Sequence, residues 1–348
     1  MKILAPALAL TLSVLTLVAG ALAPDVATAQ TIVLKKADFG IAAQTRTRLS
    51  IWWGEELERR SGGRVKIEYY PANSLVSAAD IFESTRSGAV DVGIWVQAYN
   101  PAVSPLSEMF NLPGISPRFR SAVRAANELV LGDDFTFFRD ELRKLGVEPL
   151  YVWGVPDQEF IATKPIDGLA ALKGMKVRVI GREWPKLIAA FEGTPVAMPW
   201  PEVYEALARG TLDANVGFVT ANRDSKLYEV AKHHSRIALG APAGPLAIMN
   251  RATWDGLPAD IQAIIRDLDR EFPDRLADLF EAELEDAITE METAGVTFHD
   301  WPAEDRARLQ AAMEANWLAW AEELESRDLP AREALRLYRE LQAKHDAR

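Results

Sequence analysis

The stretch 172–234 leaves the backbone little choice. Lys173-Gly174-Met175-Lys176-Val177-Arg178-Val179-Ile180 is a β-branched run that stops at Gly181, which predicts a strand. Residues 183–192 then show helical spacing with Pro185 in the first turn, 194–198 read as a strand, Pro201 opens a helix to Ala208, and Gly210 ends it before a strand over 212–216. Strands alternating with helices of about ten residues predict βαβ units, whose ligands sit beyond the carboxyl ends of parallel strands. Arg178 lies near such an end.

The flanking chain repeats the theme. Strands are expected over 31–38, 65–70, 90–96 and 148–153, with helices over 44–61, 78–87, 119–131 and 134–145. Glu83, Gly88 and Asp91 recur at the spacing of Glu205, Gly210 and Asp213. Common helix–Gly–strand junctions explain this echo as well as two similar lobes do. From 257 to 295 runs a helical pattern of roughly 50 Å at 1.5 Å per residue, long enough to brace two lobes. Pro273 inside it is expected to kink or split it. A short strand over 296–299 and helices over 302–324 and 330–344 complete the pattern.

Composition narrows the function. Lys2, the apolar run 3–22 and Ala27-Thr28-Ala29 before Gln30 have the form of a signal peptide; an uncleaved anchor is the alternative that so long a run allows. No later stretch approaches about eighteen uninterrupted apolar residues, so the mature protein is not expected to be membrane-embedded. The chain has no cysteine, which removes thiolate chemistry and fits export without disulfides. A net charge of −11 disfavours nucleic acid and obliges an anionic ligand to meet locally placed cations. The sequence carries no G-x-S-x-G, P-loop, dinucleotide or H-E-x-x-H pattern. Its histidines, His233, His234, His299 and His345, make poor material for a metal site or triad. No cofactor or metal is expected. A catalytic pair among Glu202, Glu205 and Asp213 is the enzymatic alternative, although capping and surface roles explain these acids.

The run 172–179, Thr194-Pro195-Val196-Ala197-Met198-Pro199 with Glu202-Val203-Tyr204-Glu205-Ala206-Leu207, Gly210-Thr211-Leu212-Asp213 and Ser225-Lys226-Leu227-Tyr228-Glu229-Val230 together resemble the DctP-type solute-binding proteins of TRAP (tripartite ATP-independent periplasmic) transporters. Ser61-Gly62-Gly63-Arg64-Val65 and Trp254-Asp255-Gly256-Leu257-Pro258 add to the likeness, which covers nearly the whole mature chain. The resemblance implies an α/β, two-lobed periplasmic binding protein with a hinge, a ligand cleft between the lobes and a long helix spanning both. The expected division is a signal peptide over 1–29, a first lobe over 30–154 plus about 243–275, and a second over 155–242 plus about 276–348 with the C-terminal helices. It implies a monomeric receptor, not an enzyme, that closes on an organic acid and delivers it to small and large TRAP membrane subunits. A ligand sensor docking on a chemoreceptor is the alternative on the same fold.

The same resemblance implies that Arg178 holds the ligand carboxylate through a bidentate salt bridge, as a planar guanidinium in a dry cleft does well. Two departures shift the expected ligand. Gly217, in Asp213-Ala214-Asn215-Val216-Gly217-Phe218, lacks the side-chain amide that relatives aim at their ligands. Gln158 stands where sialic-acid-binding members carry a second Arg, which argues against a large sugar acid. Trp95, Trp153, Trp200 and Phe218 are candidate apolar walls, of which at most half are expected to touch ligand. Gln97, Tyr99 and Asn215 are candidate polar contacts, and Arg182 is a second anion contact at a helix N-terminus. A mono- or dicarboxylate of modest size with an apolar portion fits these features.

Overall fold

The computed structural model describes residues 31–347; the expected signal peptide lies outside the described residues. In the first of two sheets, Ile32–Ala37 pairs in parallel with Val65–Tyr70 and Val92–Trp95. Leu246–Asn250 is inserted antiparallel between Val92–Trp95 and Val147–Val152. The second sheet has the order Thr297–Asp300, His233–Arg236, Glu159–Ala162, Ala214–Gly217, Lys176–Val179, Thr194–Ala197. Its three last-named strands are mutually parallel, whereas Glu159–Ala162 runs antiparallel to both its neighbours.

Glu159–Ala162 and Leu246–Asn250, strands the sequence reading did not anticipate, run antiparallel to their neighbours, and the reason is topological. Val147–Val152 ends at the cleft, so the chain crosses there and enters the second sheet from the carboxyl ends of its strands; it can only run backwards. The return crossing after residue 236 does the same in the other direction. The two crossings bond to each other, with N–H groups of Trp153, Val155 and Gln158 donating to the carbonyls of Pro245 (2.8 Å), Pro242 (3.0 Å) and Gly240 (2.9 Å).

Ala259–Thr293 is a single helix of 35 residues, about 52 Å long. It continues through Pro273 instead of breaking, because the residues around the proline are held by packing: Phe272 stacks on Tyr151 at 3.7 Å and Leu276 and Ala277 are buried. Its first two-thirds feed the core of the first sheet through Ile261, Ile265, Leu268, Phe272, Leu276 and Phe280. Ala287 and Met291 join a core of the second sheet with Ile161, Val203 and Leu212. Among the described residues no helix is long and apolar enough to cross a membrane.

The C-terminal helices, expected in the second lobe, contribute residues to both cores. Ala303–Glu325 contributes Leu309 and Met313 to the second sheet's core and Trp320 and Leu324 to the first's. In Ala331–Asp346, the stripe Ala331, Ala334 and Tyr338 packs into the first core, where the Tyr338 hydroxyl lies 3.0 Å from Ser116 Oγ. The stacked Phe272 gives a direct test of the bracing helix. Phe272→Ala should lower stability by about 3–5 kcal/mol in chemical denaturation, since the helix cannot move inward to fill the space.

Candidate ligand-binding site

Both sheets aim the carboxyl ends of their parallel strands at one cavity of about 100 Å³. Phe39 follows Ile32–Ala37, Gln97 and Tyr99 follow Val92–Trp95, and Trp153 follows Val147–Val152. From the second sheet come Arg178, Trp200 and Phe218, and Phe280 comes from the long helix. The cleft is shut over this space by bonds between the two sides. The Tyr99 hydroxyl accepts the Trp200 N–H (3.0 Å), the Ala98 carbonyl accepts the Gly181 N–H (3.1 Å), and Asp224 accepts the Thr45 N–H (3.0 Å).

Strand alternation explains Arg178. Val177 and Val179 point into the second core, so Arg178 between them points the other way, into the cavity. Its side chain is 3 % exposed. Nε donates to the Met198 carbonyl at 3.0 Å and Nη1 to the Val216 carbonyl at 3.4 Å, while the guanidinium lies 5.5 Å from the Trp200 ring centre. No carboxylate among the described residues pairs with it. Burial pulls the guanidinium below its ordinary pKa, and the Tyr99 hydroxyl beside it works the other way.

The second arginine in the wall, Arg46, carried no signal in the sequence. It is already neutralised: Nη1 and Nη2 each donate at 2.7 Å to Asp38, which also accepts from the Tyr69 hydroxyl (2.6 Å) and the Gly40 N–H (2.8 Å). The guanidinium is sandwiched near Phe39 and Trp153, at 5.0 and 4.7 Å. Only the meeting of a strand end with a helix start joins residues 38 and 46, which no motif announces.

Of the anticipated residues, the structure brings Gln97, Tyr99, Trp153, Gln158, Arg178, Trp200 and Phe218 to the wall. The buried Trp153 Nε1 and Gln158 Oε1 have no hydrogen-bond partner among the described residues. Gln97 donates to the Gly244 carbonyl. Three candidates are corrected. Trp95 is fully buried in the first core, packed on Phe82 at 4.6 Å, because it points to the helix side of its strand. Arg182 is the N-cap residue of Glu183–Ala190 and is ion-paired with Glu323, outside the wall. Asn215 is fully buried beside Gly217 and does not line the cavity. A Cβ at Gly217 would come within 2.6 Å of Asn215 Nδ2 and 2.9 Å of Asn222 Oδ1, so these amides occupy the room a side chain there would need. Glu108, Asn111, Phe39 and Phe280 also line the cavity and were missed. His233 and His299 meet unexpectedly, ring nitrogens 3.0 Å apart on paired strands, but no group of three metal-ligating side chains forms among the described residues.

Two α/β sheets, crossing strands between them and a cavity lined by a buried arginine at the carboxyl ends define a two-lobed solute-binding protein. Residues 49–323 match the family of bacterial extracellular solute-binding proteins, family 7, DctP, and the chain belongs to that family. The C4-dicarboxylate-binding periplasmic protein DctP of Rhodobacter capsulatus is 28% identical over 257 residues, 73% of this chain and 76% of that protein. A TRAP solute binding protein from Rhodoferax ferrireducens, solved with copurified benzoate, is similar at 25% identity with a TM-score of 0.83, covering 91% of this chain and 99% of that one. A marine metagenome TRAP solute binding protein specific for aromatic acid ligands, from an unidentified microbe and solved with 3-hydroxybenzoate, gives 26% and 0.82 over 91% and 99%.

The Asp38–Arg46 pair yields a stability prediction. Burial alone would raise the Asp38 carboxyl, but the charge and bonds of Arg46, with the Tyr69 and Gly40 donors, hold it below the usual range. A carboxyl depressed on folding stabilises the protein above its unfolded pKa, about 3.9. That contribution is lost as pH falls through the lower folded value. Asp38→Asn should cost about 3–5 kcal/mol near neutral pH by stranding Arg46, and should flatten the acid limb of the stability–pH curve measured by denaturant titration.

Proposed function

We propose that the chain is the periplasmic receptor of a TRAP transporter and that it captures a small monocarboxylate with a ring or comparable apolar body, holding the carboxylate on Arg178. The observation that carries this is a guanidinium 3 % exposed, without a carboxylate partner among the described residues, in a wall that also carries six aromatic side chains. Burying such a charge costs several kcal/mol unless an anion pairs with it. The anion arrives as ligand, and lobe closure converts that pairing into affinity.

Size and charge narrow the class further. A cavity of about 150 Å³ holds benzene, and this one is about 100 Å³, so the space sets an upper bound of about one ring and excludes a larger body. A dicarboxylate would ask for a second free cation, and Arg46 is committed to Asp38. The benzoate and 3-hydroxybenzoate bound by the two similar proteins of known structure are acids of this kind. Members of the family are binding receptors that serve membrane subunits, and this chain is proposed to present its closed form to such subunits after export. No covalent chemistry is proposed.

A thermal-shift screen of residues 30–348 against mono- and dicarboxylates, sugar acids and amino acids tests the class. Ligand at a hundred times its dissociation constant should add about 2.7 kcal/mol of stability. Arg178→Ala should then weaken binding of the best hit by about 2–5 kcal/mol in calorimetry. Unchanged affinity in that variant would remove Arg178 from its role, and stabilisation by dicarboxylates or sugar acids alone would overturn the proposed class.

A further inference from the structure

The cavity that holds an unpaired cation also holds an unpaired acid. Glu108 sits on the short 3-10 turn Pro105–Asn111, lines the same wall as Arg178, and is 3 % exposed. Its Oε1 accepts the backbone N–H of Arg182 at 3.0 Å and Asn111 Nδ2 at 3.4 Å. No ion pair involves Glu108 among the described residues, and its Oε2 takes part in no hydrogen bond among them. The site is shaped for this carboxyl: a Cβ at Gly181 would fall 2.0 Å from Glu108 Oε1 and 2.7 Å from Asn111 Nδ2, so only a glycine at the end of the Arg178 strand leaves it room.

For a plain carboxylate ligand this residue is a handicap. Burial lifts Glu108 to about 7, with Glu183 adding to the rise and the Arg182 and Asn111 donors opposing it. Close to neutral pH a substantial fraction therefore carries negative charge inside an anion site. A donor on the ligand would turn the handicap into a contact. With Oε1 already satisfied, one acceptor oxygen is open, and a hydroxyl brings one donor to it. An ammonium would bring three, two of them left without acceptors in an aromatic wall.

We propose that Glu108 is the specificity-determining residue of this cavity, its free oxygen accepting a hydrogen bond from a hydroxyl group on the ligand. The receptor then selects hydroxy-substituted ring carboxylates over the unsubstituted acid. The proposal rests on the carboxylate reading above and adds the second point of recognition. Glutamine at this position separates the two oxygens. Its carbonyl keeps the Arg182 and Asn111 donors, and its NH₂ takes the place of Oε2, so a donor would meet the ligand hydroxyl.

The experiment is calorimetric titration of the protein with benzoate, the three monohydroxybenzoates and 3-(aminomethyl)benzoate, repeated in Glu108→Gln and Arg178→Ala. In the native protein at least one hydroxybenzoate should bind about tenfold more tightly than benzoate, the worth of one charge-assisted hydrogen bond. In Glu108→Gln that ratio should fall to about threefold or less. Hydroxybenzoates no tighter than benzoate in the native protein, or a ratio untouched in Glu108→Gln, would overturn the role of Glu108; the native ranking decides even where the variant does not fold. Tighter binding of the ammonium compound would overturn the choice of hydroxyl. If benzoate binds and Arg178→Ala abolishes it while hydroxylation gains nothing, the carboxylate receptor stands and only this inference falls. If no ring acid binds at all, both fall together.

Discussion

A guanidinium shielded from water must be met by negative charge, and among the described residues Arg178 meets the Met198 and Val216 carbonyls, the Tyr99 hydroxyl and the field of Glu202, but no ion-paired carboxylate. The remaining architecture can be understood from that shortfall. With the lobes apart, water solvates the cation at little cost. Closure around an empty cavity strands it, whereas closure around a carboxylate pairs it in a medium where the attraction is strong. On the proposed reading the ligand biases the open–closed equilibrium through its differential affinity for the shut form. The cross-cleft bonds from Tyr99, Ala98 and Asp224 complete that form without specifying what lies inside it.

The contrast with other interior charges sharpens the point. Glu148 is fully buried and is met by Arg143, Arg251 and Arg266. Asp38 and Arg46 neutralise each other with two further donors in place. These groups are structural because their hydrogen-bonding capacity is used within the chain. Arg178 and Glu108 are without an ion-pair partner among the described residues, and both line the cavity.

The strand that carries Arg178 was legible as a β-branched run closed by Gly181, but the residue was singled out only by the family resemblance; alternation with the buried Val177 and Val179 accounts for its facing the cavity. The long helix was legible from its period, although not its passage through Pro273, which depends on Tyr151 more than a hundred residues earlier in the chain. Glu159–Ala162 and Leu246–Asn250 were not legible. Each is four or five residues long and takes its direction from where the chain re-enters a sheet, a property of the connection and not of the segment. Trp95 failed for a related reason: residue type cannot say which face of a buried strand a ring occupies, and here it is the face toward Phe82. Glu108 lies in an irregular turn, with partners Arg182 and Asn111 supplied by tertiary contact.

The helix Ala259–Thr293 has a bearing on how the molecule comes apart. Its N-terminal part is buried in one core and its C-terminal part in another, and Ala303–Glu325 bridges the two sheets' cores in the reverse order. Neither sheet can melt without exposing apolar residues of a helix that the other still grips. The two sheets are thereby tied into a single cooperative unit for unfolding, and amide protons in the middle of that helix exchange only when the whole protein opens.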